Sequence, residues 1–313
     1  MTARVPRVAF LGPDATFSAE AAHEAVPGGE LEPLPNVSDV FAAVRDGGAK
    51  VGVVPIENMI EGSVNATLDE LCFGPGGAYV RGEIRLPVTL HLLGPSGSQP
   101  SRVRTVRSHP VALGQCRQWL RTHAPQADTE AETSTAEAAR LVSLTRAGDG
   151  EVAIAPRLAA ERFGLEVLAA DVHDMPGNAT RFVVLGTSMA AATGADKTSL
   201  VVFFGDDRPG LLLKVLEEFA LRGINLTKIE SRPTKTSLGE YCILFDAEGH
   251  PAEARMAEAL RSVHRHVAEL RVFGAYPRAD GIAPQVSPSD TDAAYTEAVT
   301  WHRRLLDDVD APG

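Results

Sequence analysis

The sequence predicts an α/β protein made of two similar α/β lobes followed by a βαββαβ unit, and three observations predict it. Short apolar runs alternate with helix-period stretches from Val8 to Leu185, the pattern of a layered sandwich around a largely parallel sheet. The alternation breaks at Gly74-Pro-Gly-Gly77 and then resumes in a second run of the same kind. Beyond a small-residue segment, Met189 to Ala195, the order becomes strand, helix, strand, strand, helix, strand, the ferredoxin-like split βαβ arrangement.

Val8-Ala-Phe-Leu11 has strand length and character, and an alanine-rich helix through Val26 follows the polar Gly12-Pro-Asp-Ala-Thr-Phe-Ser18. Ser38 is placed as the N-cap of a helix from Asp39 to Arg45, which Gly47 ends. Val51-Gly-Val-Val54 is the next strand, and a helix from Val64 to Leu71 starts at Ser63. Arg81 to Leu93 holds one or two strands, and Thr105-Val-Arg107 another. Ser108-His109-Pro110 opens a helix to Leu120, with proline well placed in its first turn. Ser134-Thr-Ala-Glu137 is a capping box for a helix through Arg146. Val152 to Ala155 is a strand, and Arg157 to Phe163 a short helix. Pro176-Gly177 marks a turn, and Phe182-Val-Val-Leu185 is a buried strand.

In the third unit the strands fall at 198–204, 225–231, 240–246 and 270–276, with helices at 211–222 and 252–268. Leu211, Leu212, Val215, Leu216, Phe219 and Ala220 make one apolar face of the first helix, and Gly223 ends it. A stretch rich in Pro, Asp and Ser starts at Arg278. It leads to a helix from Ala293 to Val309 with Ala294, Ala298, Trp301 and Leu305 on one stripe.

At 313 residues, a prior of about 150 residues per domain suggests two domains. The net charge of -11 argues against nucleic acid, which needs a basic surface, and means that an anionic ligand must be held by local donors. No apolar run approaches the ~18 residues of a membrane span, and Met1 to Arg7 shows no cleavable signal. Cys72, Cys116 and Cys242 are scattered; they read as reduced thiols of a cytoplasmic protein, with no metal or organic cofactor expected.

Four polar loops fall at the carboxyl ends of strands, where open α/β sheets bind ligands. Thr16 and Ser18 stand at a helix start, where free N–H groups suit carboxylates. Glu57, Asn58, Gly62 and Ser63 form a second loop, and Ser108 with His109 a third. Asn178, Thr180, Arg181 and Phe182 follow the turn where the chain returns from the second lobe. Taken singly, each has an ordinary structural explanation, such as N-capping for Thr16 or Ser18. Together they point to a small carboxylate-bearing ligand in an interlobe cleft.

Those motifs carry a resemblance. Val54-Pro-Ile-Glu-Asn58 with Glu61-Gly-Ser-Val64, Ser108-His-Pro110 and Gly177-Asn-Ala-Thr-Arg-Phe182 resemble the catalytic-region signatures of the bacterial prephenate dehydratases. Arg208-Pro-Gly-Leu-Leu212 and Glu230-Ser-Arg-Pro233 resemble the phenylalanine-binding motifs of their ACT regulatory domain. Two departures stand out: Met59 replaces the usual serine after Glu-Asn, and Ala15 a common glycine.

The resemblance implies a two-lobed, periplasmic-binding-protein-like catalytic region at 1–190, with the chain crossing near 80–90 and returning near 175–185. It further implies a linker at 191–197, an ACT domain at 198–277 and a tail at 278–313. The implied reaction turns prephenate into phenylpyruvate, with Thr180 as the donor at the departing hydroxyl. Thr16, Ser18, Glu57, Asn58, Gly62, Ser63, Ser108, His109, Asn178 and Arg181 make up the substrate shell, and Phe182 closes an apolar side. The carboxylate opposite Arg181 can belong to substrate or to protein. For the effector L-phenylalanine the implied residues are Arg208, Gly210, Leu211, Leu212, Asn225, Leu226, Glu230, Ser231 and Arg232, in a homodimer or homotetramer. No chorismate mutase segment is expected before Val8. Arogenate as substrate, or a non-catalytic amino-acid sensor, are the competing readings.

Overall fold

The computed structural model describes residues 5–205, 208–237 and 239–307. They form two compact units: one holds the chain to Ala78 and Ile84–Thr187, the other Tyr79–Glu83 and the chain from Ser188. The elements begin with β1 (Arg7–Leu11), α1 (Phe17–Ala25), β2 (Glu30–Leu34), α2 (Val37–Arg45), β3 (Val51–Asn58), β4 (Gly62–Ser63) and α3 (Asn65–Phe73). Next come β5 (Tyr79–Pro87), β6 (His91–Gly94), β7 (Thr105–Ser108), α4 (Pro110–Gln115), α5 (Arg117–His123) and β8 (Asp128–Ala131). The first unit is completed by α6 (Thr135–Ser143), β9 (Glu151–Ala155), α7 (Arg157–Phe163), β10 (Glu166–Ala169) and β11 (Ala179–Gly186). The second unit adds β12 (Asp196–Phe203), α8 (Leu211–Ala220), β13 (Leu226–Pro233), β14 (Tyr241–Glu248), α9 (Ala254–His266), β15 (Glu269–Pro277) and α10 (Asp292–Asp307).

The first unit has the two expected lobes. In the first lobe the strands run β11-β3-β1-β2, with β4 beside β3. β1 is parallel to β2 and β3, whereas β11, returning from the second lobe, is antiparallel to β3. Val8, Phe10 and Val53 pack against Ala19, Ala21 and Ala22 of α1, small residues that let the helix lie close. Helix α2 also lies close to the sheet: a Cβ at Gly52 would meet Val44 at 2.8 Å and Val40 at 3.0 Å. The second lobe's sheet runs β10-β6-β9-β7-β8, and Ala136, Ala138, Ala139 and Val142 of α6 pack with Leu93, Ala153 and Ala155.

Several boundaries differ from the expectation, each for a local reason. Helix α2 starts at Val37 with Asn36, not Ser38, as N-cap, and Asn36 donates instead to Asp39 at 2.9 Å. Ser63 belongs to β4, so α3 is capped by Val64. The single helix expected over Pro110–Leu120 divides at Cys116, because the Asp174 carboxylate takes the N–H groups of Gln118 and Trp119 at 2.7 and 2.8 Å and starts a new helix there. Ser134 accepts from the Glu137 N–H at 2.9 Å, but the Glu137 carboxylate turns to Arg140, so only half the capping box forms. Helix α6 stops at Ser143, short of Arg146. Strands β2, β8 and β10 were not expected; all three are sheet edges without a buried residue, and so carry no sustained apolar run.

In the second unit the strand order β13-β14-β12-β15, with antiparallel neighbours, is the ferredoxin-like one. Leu200, Val202, Val215, Phe219, Phe245, Met256 and Val263 form its core between the sheet and helices α8 and α9. Gly274 faces Val80 in the register of β15, and any side chain there would overlap the Val80 backbone. The expected helix end at Val309 and the first residues of the Met1–Arg7 segment lie outside the described residues. No helix among the described residues is long and apolar enough to cross a membrane.

A buried ionic cluster sits inside this second unit. Lys197 Nζ lies 3.2 Å from Glu83 and 4.0 Å from Asp246, with Lys197 and Glu83 side chains 4% and 0% exposed. Ser199 donates to Asp246 at 2.5 Å, and the Ala279 N–H donates to the second Glu83 oxygen at 2.9 Å. Breaking such a pair leaves an under-compensated charge in a dry interior. Glu83→Gln is therefore expected to lower unfolding free energy by about 3–5 kcal/mol, read by urea denaturation. A loss below about 1 kcal/mol, the range of surface pairs, would contradict this account of the cluster.

Candidate active site between the two lobes

The antiparallel register of β3 and β11 sets Asn58 opposite Thr180 and Glu57 opposite Arg181. Register then slips by one, so Phe182 faces Pro55. The slip accommodates a proline, which has no N–H for the ladder, inside a central strand. Directly opposed residues share a face and successive residues alternate, so Asn58 and Thr180 lie on one face and Glu57 and Arg181 on the other.

The Asn58 carboxamide has a defined orientation. Its oxygen accepts from the N–H groups of Ile60 and Glu61 at 3.0 and 3.1 Å, which leaves its NH₂ to donate to Thr180 Oγ1 at 2.9 Å. The Thr180 oxygen is thus an acceptor toward Asn58, and its own proton is directed elsewhere. Asn178 is 3% exposed; its NH₂ donates to Gln115 Oε1 at 3.2 Å, and its carbonyl accepts from Val88 N–H at 2.8 Å. The side-chain oxygen of Asn178 is buried with no hydrogen-bond partner among the described residues, an acceptor that a ligand donor can meet.

On the opposite face Arg181 Nη1 lies 3.4 Å from Glu57 Oε2. Of the two sources left open for its carboxylate, the structure supplies the protein's own. Ser63 faces Glu57 across β4, next to Gly62. Ser108 is fully buried and donates to the Ile154 carbonyl at 2.6 Å, while His109 caps α4, accepting from Val111 N–H at 3.3 Å. Thr16 donates to the Pro13 carbonyl at 2.9 Å, so no side chain caps the N-terminus of α1, where Ser18 is buried. Phe182 corrects the expectation of a cleft wall: it is 1% exposed and packs with Val8, Phe10 and Val53. Strand alternation places it on the same face as Thr180, two residues further along β11 and inside the first lobe's core.

Between the loop after β3 and helices α4 and α5 lies a cavity of ≈ 610 Å³, lined by Ile60, Glu61, Pro110, Gln115, Arg117, Asp174 and Met175 among others. Gln115 and Arg117 were not singled out from sequence. Both read as ordinary helix residues, and only the contact to Asn178 and the facing loop give them a role. Arg117 is exposed and makes no ion pair with a described residue. Cys116 between them is buried, and burial, helped by the Asp174 carboxylate, pushes its thiol up to about 12. Of the two family departures, Met59 is exposed and keeps its N–H bonded to the Ala179 carbonyl at 3.0 Å. Ala15 adopts φ 62°, the left-handed region where a glycine is unstrained, while burying its methyl against the second lobe.

In the second unit Gly210 takes φ 85° as the N-cap of α8. Arg208 and Leu211 line a cavity of ≈ 420 Å³ with Phe204, Gly205, His266 and Ala268, and Leu212 is exposed. Asn225, Leu226, Ser231 and Arg232 do not line that cavity. Glu230 is held between Lys228 at 3.2 Å and Arg232 at 3.3 Å on one face of β13. One chain thus places the two halves of the expected effector site apart.

The prephenate dehydratase family model matches residues 8–190, and the ACT domain model residues 198–265. A prephenate dehydratase of Mycobacterium tuberculosis is 42% identical over 313 residues, spanning 96% of this chain and 94% of its own. The structure of a prephenate dehydratase from Arthrobacter aurescens in complex with L-Phe superposes with a TM-score of 0.87 at 40% identity, covering 96% and 99% of the two chains. The structure of GqqA, described as a quorum quenching acylase, gives a TM-score of 0.78 at 31% identity, covering 90% and 98%.

A buried thiol with a pKa near 12 holds almost no thiolate at neutral pH. Iodoacetamide at pH 7 is expected to leave Cys116 unmodified in the folded protein and to alkylate it in denaturant, read by peptide mass spectrometry. Rapid native alkylation would show that the α4–α5 junction opens.

Proposed function

The chain belongs to the prephenate dehydratase family, with an ACT domain behind the catalytic region, and from that premise we propose that Thr180 delivers the proton-side hydrogen bond that lets the prephenate hydroxyl depart. The observation that carries this reading is the fixed Asn58 amide, which donates to Thr180 Oγ1 and so leaves the threonine proton for substrate. In the reaction the ring carboxylate leaves as carbon dioxide, and the electron pair of the broken C–C bond enters the ring. The C–O bond breaks, and the departing oxygen leaves as water after protonation. Aromatisation supplies the driving force, so the enzyme must lower the barrier to C–O cleavage. A threonine hydroxyl is a poor acid at neutral pH, so orientation and a preformed hydrogen bond carry the step.

The other residues divide the remaining work. With Arg181 engaged by Glu57, Arg117 and the N–H groups at the start of α1 are the donors for the side-chain carboxylate of prephenate. The buried Asn178 oxygen suits a hydroxyl or the water being released. The ring carboxylate is best held loosely, because tight pairing would stabilise it against leaving. The acylase among the relatives raises a hydrolytic reading. In this chain Ser108 gives its proton to the Ile154 carbonyl and Cys116 is buried with a raised pKa, so neither supports a nucleophile.

Phenylalanine is the effector this reading assigns to the ACT domain, supported by the L-Phe bound to the Arthrobacter relative. The separation of Arg208–Leu212 from Asn225–Arg232 in one chain favours a site completed between two subunits. Coupling between an effector site and a catalytic cleft works by favouring one arrangement over another, at about 1–3 kcal/mol.

Thr180→Ala is expected to keep the fold and lose about 100-fold or more in prephenate turnover, the upper part of general-acid effects; near-normal turnover in a folded variant would end the assignment. For regulation, phenylalanine is titrated against Gly210→Val, which forces a β-branched residue into φ 85°, and against Asn225→Ala. Both are expected to blunt the response. If both respond like the parent, the effector binds elsewhere.

A further inference from the structure

Helices α9 and α10 pack side by side in the second unit and leave a groove of ≈ 530 Å³ between them. Its charged lining consists of Arg261 and Arg265 from α9, Arg303 from α10, and one acid, Glu258. Glu258 already faces Arg222 at 3.7 Å, and Arg265 donates to Ser262 at 2.9 Å. Arg261 and Arg303 make no hydrogen bond or ion pair with any described residue.

Elsewhere this chain pairs several of its arginines with its own acids, although Arg117, too, makes no ion pair with a described residue. The chain carries a net charge of -11, and Arg107, Arg140, Arg255, Arg271 and Arg278 each hold a carboxylate. Guanidinium groups from two helices that face one groove repel each other, weakly here because Arg261 and Arg303 are both exposed to solvent. A multiply charged anion would reverse the sign of that interaction. Guanidinium forks match the oxygens of carboxylate and phosphate. Tyr295 adds a phenol, whose pKa burial, and secondarily the Glu258 carboxylate, push up, so that it stays a donor. Val299 gives the groove an apolar wall.

We propose that the α9–α10 groove binds a small polyanion, a phosphorylated or polycarboxylate metabolite, with Arg261 and Arg303 as its principal ligands from opposite walls. Bound there, the anion clamps the C-terminal helix to the ferredoxin-like unit. The site is separate from the residues assigned to substrate and to phenylalanine.

The test uses the full chain, with inorganic pyrophosphate and citrate as probes in parallel calorimetric titrations against chloride of matched ionic strength. Saturable binding of one equivalent is expected for at least one probe. It should weaken at least 10-fold in the double variant Arg261→Gln, Arg303→Gln and recover in part in the corresponding double lysine variant. Arg304→Gln, on the same helix but outside the groove, should bind like the parent. Tighter pyrophosphate binding points to a phosphorylated ligand, and tighter citrate binding to a polycarboxylate; either supports the site. Three results overturn it: no saturable binding of either probe, full affinity in the double glutamine variant, or equal weakening by Arg304→Gln.

Discussion

The pairing of β11 against β3, in the register that puts Thr180 opposite Asn58, is the constraint on which the rest of the catalytic unit depends. It brings together residues separated by 122 positions in the chain. The whole second lobe is inserted between the two strands' segments, so the pairing also closes the path the chain takes out and back. The returning segment is fastened to the outgoing one by Val172 N–H to the Leu90 carbonyl and Val88 N–H to the Asn178 carbonyl, both at 2.8 Å. Asp174 N–H to the Gln115 carbonyl at 2.7 Å ties the same segment to α4. The turn that carries Asn178 and Thr180 is therefore held from both lobes.

Anion recognition here has to work against the overall field. A net charge of -11 repels a dicarboxylate at long range, although screening limits that to about a Debye length of 8–10 Å in ordinary salt. Inside that distance the local donors decide. The protein commits much of its arginine to its own acids: Arg107 to Glu130, Glu132 and Glu151, and Arg278 to Glu248 and Asp280. Arg181 follows the same rule with Glu57. In the proposed site, binding relies on the guanidinium groups left over, on backbone N–H groups at helix starts, and on oriented amides such as Asn58 and Asn178. Oriented dipoles of this kind stabilise developing charge without holding a carboxylate too tightly.

Much of this was legible in the sequence, because apolar strands and turn glycines announce themselves locally. Val8–Leu11, Val51–Val54 and Phe182–Leu185 are mostly buried strands, and burial leaves an apolar run. The edge strands β2, β8 and β10 left no such trace. The break at Cys116 depends on Asp174, distant in sequence, and no helix-period argument sees it. The polar residues of the proposed site stand out by their company in the sequence, whereas the hydrogen bond from Asn58 to Thr180 and the pairing of Arg181 with Glu57 do not. Arg181 and Thr180 are neighbours in sequence but face opposite sides of a strand. Phe182 lies on the Thr180 face of β11 but far enough along it to enter the core. Gln115 and Arg117 gained a role only through what folds against them.

The central claim is that Asn58 acts through the Thr180 hydroxyl and not independently of it. A double-mutant cycle on prephenate turnover, with Asn58→Ala, Thr180→Ala and the pair, measures that coupling directly. The account predicts strong non-additivity: once the threonine hydroxyl is gone, removing the Asn58 donor costs little more. Additive losses, with the double variant slowed by the product of the two single effects, would contradict it.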